Sequence, residues 1–315
     1  MALCLMLGMG VTALAQDDET THYGIFINYE RYDSYLAEVT DENKDDVLDD
    51  GTISYNPVTN TLYLKNAKLN CEGAVIYYCG VGEKFTINLE GDNVFGSEET
   101  RAEVAIYVDR RTFESNVVCE FVLTGSGNLT IYDDSNGIYN QNGDITIDMT
   151  GKLTIDEESR GALCCIYANN GDINIEGGDI DLRAINGHCF DVYDDNRVNI
   201  NGGRLKLYSD WQIASSENSV NTKLPIEISE DGNNYTEGTP EQLCTANYGR
   251  INWLANETQN KPVKNETDTI VIDLNGEEEP EEVEENPNTG APILGLIGAA
   301  VLAGAAEVYM LKRRK

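Results

Sequence analysis

The middle of the chain repeats. Five stretches share one form: Ile87 to Phe95, Leu123 to Ile131, Ile147 to Ile155, Ile175 to Leu182 and Ile200 to Leu207. Each is a short apolar–polar alternation, a glycine turn and a second alternation. The glycines at 127, 151, 178 and 203 stand 24, 27 and 25 residues apart. A third run precedes each pair: Ala74-Val75-Ile76-Tyr77, Ala105-Ile106-Tyr107-Val108, Gly137-Ile138-Tyr139-Asn140, Cys165-Ile166-Tyr167-Ala168 and, more loosely, Cys189-Phe190-Asp191-Val192. Three short strands per unit of about 25 residues predict a coil that stacks on its neighbours. The expected fold class is all-β: a right-handed parallel β-helix (solenoid) with N-terminal and C-terminal caps. A β-sandwich would show such strands without the fixed period.

The period says which side chains face in. Ile138, Ile145, Leu153, Ile166, Ile173 and Ile180 should stack on their equivalents one coil on, at the ~4.8 Å strand spacing. Asn142-Gly143, Asn170-Gly171 and Gly202-Gly203 supply corner turns. An Ile precedes each of Tyr77, Tyr107, Tyr139 and Tyr167. If the Ile points in, the tyrosine points out. The four then form a column on one outer face, the candidate ligand-binding residues, because aromatic faces with a polar tip suit sugar rings or protein partners.

Composition excludes some partners. The formal net charge is −33, a surface that repels nucleic acid and anionic lipid. Of eight cysteines, Cys71, Cys79, Cys119, Cys164, Cys165, Cys189 and Cys244 lie beyond the first fifteen residues, with no Cys-x-x-Cys pair. They read as small buried hydrophobes of a sheet core rather than a disulfide framework or a zinc site.

Catalytic chemistry is thinly signalled. Carboxylate pairs stand at Asp133-Asp134 and Asp194-Asp195, with His188, Asp191 and Arg197 near the second. Glycoside hydrolysis needs two carboxylates on one face, but Asp pairs at coil corners commonly form turns. Gly187-His188-Cys189 loosely resembles the Gly-His-Gly element of polygalacturonase-like enzymes, whose Asn-Thr-Asp and Arg-Ile-Lys companions are lacking. The alternative function is therefore a wall-attached polysaccharide lyase or glycoside hydrolase using Asp191, Asp194, Asp195 and His188. No catalytic residue and no metal ligand is assigned. Calcium at the corner residues Asp133, Asp134, Asp194 and Asp195 is the one candidate cofactor, without an EF-hand loop to hold it.

The ends carry addresses. Asn286-Pro287-Asn288-Thr289-Gly290 is followed by an apolar stretch from Ala291 to Leu311 and by Lys312-Arg313-Arg314-Lys315. The stretch is about long enough to cross a ~30 Å hydrocarbon core, and the terminal cations fit the cytoplasmic side. This arrangement resembles the cell-wall sorting signal of Gram-positive surface proteins. It has Asn286 where the commonest motif has Leu, as in a variant of some clostridia-like lineages. The resemblance implies cleavage between Thr289 and Gly290 by a sortase transpeptidase and attachment to peptidoglycan. The membrane is then met only through the C-terminal transmembrane helix before cleavage. Ala2 to Ala15 is uncharged and mostly apolar, and Ala13-Leu14-Ala15 fits a signal-peptide cleavage site.

The expected organisation is a signal peptide over 1–15, an N-terminal cap over 16–69, β-helix repeats over 70–208 and a C-terminal cap over 209–255. An acidic Pro/Glu spacer over 256–285, including Glu277 to Glu285, and the sorting signal over 286–315 follow. The stretch Val39 to Leu64 resembles the opening module of secreted β-helical surface proteins of Gram-positive gut bacteria, often labelled carbohydrate-binding-like. The expected function is a secreted, sortase-anchored, adhesin-like surface protein of the cell wall that binds an extracellular glycan or a host protein.

Overall fold

The computed structural model describes residues 20–253, other than 31–33, 110, 113–114, 117, 159–162 and 218. The signal segment, the acidic spacer and the sorting signal lie outside the described residues. Among the described residues no helix is long and apolar enough to cross a membrane; the expected span from Ala291 to Leu311 is not one of them.

The chain is all-β, a parallel β-solenoid of about six turns. The first face carries Ala74–Tyr78, Ala102–Val108, the second half of Asn128–Asn140, Cys164–Ala168, His188–Val192 and Gln212–Ala214, each paired in parallel with the next. The second face runs from Thr61–Lys65 through Lys84–Glu90, Glu120–Gly125, Ile145–Met149, Ile173–Ile175 and Val198–Ile200 to Val220–Thr222. The third holds Lys68–Leu69, Asp92–Phe95, the first half of Asn128–Asn140, Lys152–Glu158, Asp179–Ile185 and Arg204–Ser209.

Alternation puts one side of every strand into a shared core. On the second face Leu62, Ile87, Leu123, Ile147, Ile175 and Ile200 are successive register partners, all fully buried. Each such side chain contributes ~1.5–3 kcal/mol relative to exposure. The inward column of the first face is Ile76, Ile106, Ile138, Ile166, Phe190 and Ala214. Ile145, Leu153, Ile173 and Ile180 are buried as expected, and so are six of the seven described cysteines, Cys79 alone being exposed.

The period is looser than the later glycines imply. Register partners Ile87 and Leu123 are 36 positions apart, because that coil makes an excursion with the small hairpin Arg111–Thr112/Ser115–Asn116.

The solenoid also begins before residue 70. Thr61–Lys65 and Lys68–Leu69 already belong to the parallel ladders, so the expected boundary at 69/70 moves back. The turn between them is made by Asn66 in the left-handed region (φ 55°), one coil before Gly91 (φ 66°). Asparagine tolerates that conformation, and a count keyed to glycine misses it. The N-terminal end is covered by antiparallel strands: Ile53–Asn56 on Thr61–Lys65, and His22–Tyr29, flanked by Ala37–Thr40, on Ala74–Tyr78.

At the other end the ladders extend past 208, through Gln212–Ala214 and Val220–Thr222. Tyr248–Ile251 then runs antiparallel to Arg204–Ser209, and Ile226–Ser229 antiparallel to Tyr248–Ile251. A short helix, Pro240–Thr245, closes the end. Thr239 and Gln242 form its capping box, and Leu243 and Cys244 are its buried face. The alternation pattern alone gave no sign of this helix.

Candidate functional site

The first face positions the tyrosines. Tyr77, Tyr107, Tyr139 and Tyr167 each follow an enclosed Ile and are paired in register across adjacent strands. Their ring centroids are 5.3, 5.1 and 4.8 Å apart, and the last two pairs lie within 5° and 4° of parallel. The ladder is longer than the repeats show. The antiparallel strand His22–Tyr29 adds Phe26 and Tyr29 against Tyr77, at 5.9 and 4.7 Å, and Tyr35 packs on Phe26 at 4.9 Å. Those three rings come from outside the repeat and escape its spacing; the aromatic richness of Tyr23 to Tyr35 was the one signal for them. At the other end Asp191 takes the next place in register after Tyr167. Its carboxylate accepts a hydrogen bond from the Ser215 hydroxyl.

The ladder corrects one expectation. Strands ~4.8 Å apart hold in-register rings at close to stacking distance, so the rings of the column turn their faces to one another. What they offer solvent is edges and hydroxyls. The hydroxyls are steered by the side chain two positions on: Tyr107 donates to Asp109 at 3.0 Å, Tyr167 to Asn169 at 2.9 Å, and Tyr139 to Gln141. The result is two parallel columns, one of ring edges and one of polar tips. Burial, then the nearby Asp191 carboxylate, pushes the Tyr167 phenol up to about 12, so it stays a neutral donor. Ring edges carry the positive part of the aromatic quadrupole, which suits oxygen-rich ligands lying across them.

The acidic candidates do not gather. Asp194 is exposed in the left-handed region (φ 55°), where it shapes the turn from Tyr193 to Asn196, and Asp195 is exposed beside it. His188 Nδ1 lies 2.9 Å from the Gln212 carbonyl, and its ring meets Trp211 edge-on. Arg197 is exposed, its backbone N–H donating to Asp172 at 2.7 Å. Asp191 belongs to the outer face of the tyrosine ladder. Asp133 points into the core and is fully enclosed while Asp134 is half-buried. Among the described residues no group of three or more His, Cys, Asp or Glu side chains is set to hold a metal ion.

Asp133 was the least foreseeable. Its register partner is Glu157, also enclosed, and neither Asp133 carboxylate oxygen has a hydrogen-bond partner. Burial, then the Glu157 charge, pushes the Asp133 carboxyl well above its usual range, opposed by the Arg101 guanidinium. Asn136 and Cys164 line the same corner, the thiol 3.3 Å from the Asn136 amide oxygen.

Comparison of the chain with protein-family models, with curated proteins and with solved structures returns no match in any of the three.

Proposed function

We propose that this chain is a non-enzymatic surface-display protein of a Gram-positive cell wall, and that its aromatic face binds an extracellular glycan. The observation that carries the binding reading is the half-exposed ladder running from Tyr35 through Tyr77 to Tyr167, with polar tips at Asp109, Gln141 and Asn169 beside it. A periodic array of ring edges and hydrogen-bonding tips matches a periodic, hydroxyl-rich polymer better than it matches an irregular protein surface. Asp194 and Asp195 stand exposed on a turn and Asp191 is engaged by the Ser215 hydroxyl, which favours binding over hydrolysis.

Display rests on the sorting-type tail. A sortase would cut between Thr289 and Gly290, join Thr289 to peptidoglycan and leave the Glu-rich spacer holding the solenoid away from the wall. Such a spacer is self-repelling and extended. Mass spectrometry of wall fragments should find Thr289 amide-linked to a cross-bridge; an intact tail through Lys315 refutes anchoring. A glycan array and a mucin pull-down with the secreted chain test binding, and silence on both refutes the glycan reading.

A further inference from the structure

The outward rows of the third face concentrate cations. Lys152, Asp179 and Arg204 are successive register partners, as are Asp181 and Lys206. The capping strand Tyr248–Ile251 then sets Arg250 directly opposite Lys206. With Trp253 these residues line a half-open cleft of about 310 Å³. Four cations meet two carboxylates there, in a chain with 55 acidic and 22 basic residues.

The carboxylates do not use up the charge. Arg204 forks onto both oxygens of Asp179, its Nε at 3.2 Å. Lys152 and Lys206 share Asp181 only at 4.0 and 3.8 Å. Arg250 forms no ion pair among the described residues, not even with Glu227, its register neighbour on the other side. Its guanidinium lies 3.7 Å over the Tyr235 ring and 5.0 Å from the Trp253 ring centre, with an enclosed Nε that finds no acceptor. Like charges directly opposite one another weaken a strand pair. In the row Asp181–Lys206–Arg250–Glu227 the Lys206–Arg250 juxtaposition is therefore the one unfavourable pair, and it is relieved when an anion sits between them. The acidic surroundings repel long polyanions, so the cleft selects a compact anionic group, and the half-buried indole at its rim, with the Arg204 guanidinium 4.6 Å from its ring centre, adds an aromatic contact for the ring that bears it.

We propose that this cleft is a binding site for an acidic carbohydrate: a pyranose carrying a carboxylate or sulfate, its oxyanion between Lys206 and Arg250 and its ring against Trp253. The site is separate from the tyrosine face and stands whether or not that face binds a glycan.

The test uses the secreted chain, titrated with a digalacturonate, a monosulfated disaccharide, a neutral disaccharide and inorganic sulfate, with unfolding midpoints read in parallel. One or both acidic sugars should bind and raise the midpoint, more weakly as salt rises; which one responds separates carboxylate from sulfate recognition. Lys206→Gln should bind about tenfold more weakly and yet have a higher midpoint than wild type without ligand. Trp253→Ala should lose sugar binding while keeping the small response to sulfate. A Lys206→Gln chain that is less stable without ligand, or that binds the acidic sugars as wild type does, overturns the proposal. Equal responses to neutral and acidic sugars overturn it too, as does inorganic sulfate matching the sugars at equal ionic strength. A Tyr139→Ala chain that keeps this response separates the site from the one on the first face.

Discussion

Tyr107 and Tyr139 stack with centroids 5.1 Å apart and planes within 5° of parallel, one strand spacing along the solenoid. Neither ring can be removed without uncovering the faces of its neighbours. Tyr139→Ala should destabilise the chain by about 2–4 kcal/mol, from lost burial and two broken ring pairs. Tyr139→Phe keeps the stack, loses the hydroxyl donation to Gln141 and should cost no more than about 1 kcal/mol. Urea unfolding of both variants checks this; equal costs would mean that the hydroxyl, not the stack, supports the face.

Asp133 should make the fold acid-favoured at one position. Its folded carboxyl value is raised above the unfolded value near ~3.9 by burial and by Glu157. Its contribution is therefore fully present below the unfolded value and is lost as pH rises through the folded one. Asp133→Asn should stabilise the chain by about 1–3 kcal/mol at pH 8 and change little near pH 4. Carboxylates such as Asp231, held low by the backbone N–H groups of Asn234 and Asn233, slope the other way, so the comparison of variant with wild type is the informative one. An Asp133→Asn chain equally destabilised at both pH values would contradict this account.

Gly151 sits where two coils touch. A Cβ there would lie 2.0 Å from the Gly127 carbonyl oxygen. Gly151→Ala should cost about 1–3 kcal/mol or more, because the coil must open to admit the methyl group. Thermal unfolding reads the loss; a neutral result would show that the corner has slack.

Thiol labelling reports the core directly. Of the seven described cysteines, Cys79 is exposed and six are buried. Iodoacetamide on the native chain should modify Cys79 among these, and all seven after denaturation. Rapid native labelling of Cys165 or Cys189, both fully enclosed, would mean that the solenoid opens locally.

The sequence shows the solenoid because stacking coils repeat their chemistry. Ile138 and Ile166 stand in equivalent places, and so do Tyr139 and Tyr167. It hides features made by parts that do not repeat. Asn66 does the work of a corner glycine and conceals the first coil. Phe26 and Tyr29 join the ladder from an antiparallel strand, and Tyr35 from the segment between two strands. Arg250 meets Lys206 only because the last strand folds back, so the basic cleft has no signature in linear sequence. Asp133 looks like a corner aspartate until the strand Asn128–Asn140 is seen to run through that corner and turn it inward.

The most direct test of the account is a glycan array probed in parallel with the secreted wild-type chain and a Tyr107→Ala/Tyr139→Ala chain whose strand content is checked by circular dichroism. The account predicts that wild type binds a set of linear glycans, neutral members included, and that the folded variant loses the neutral ones. Wild type that binds no glycan, or a folded variant that keeps every one, would contradict it.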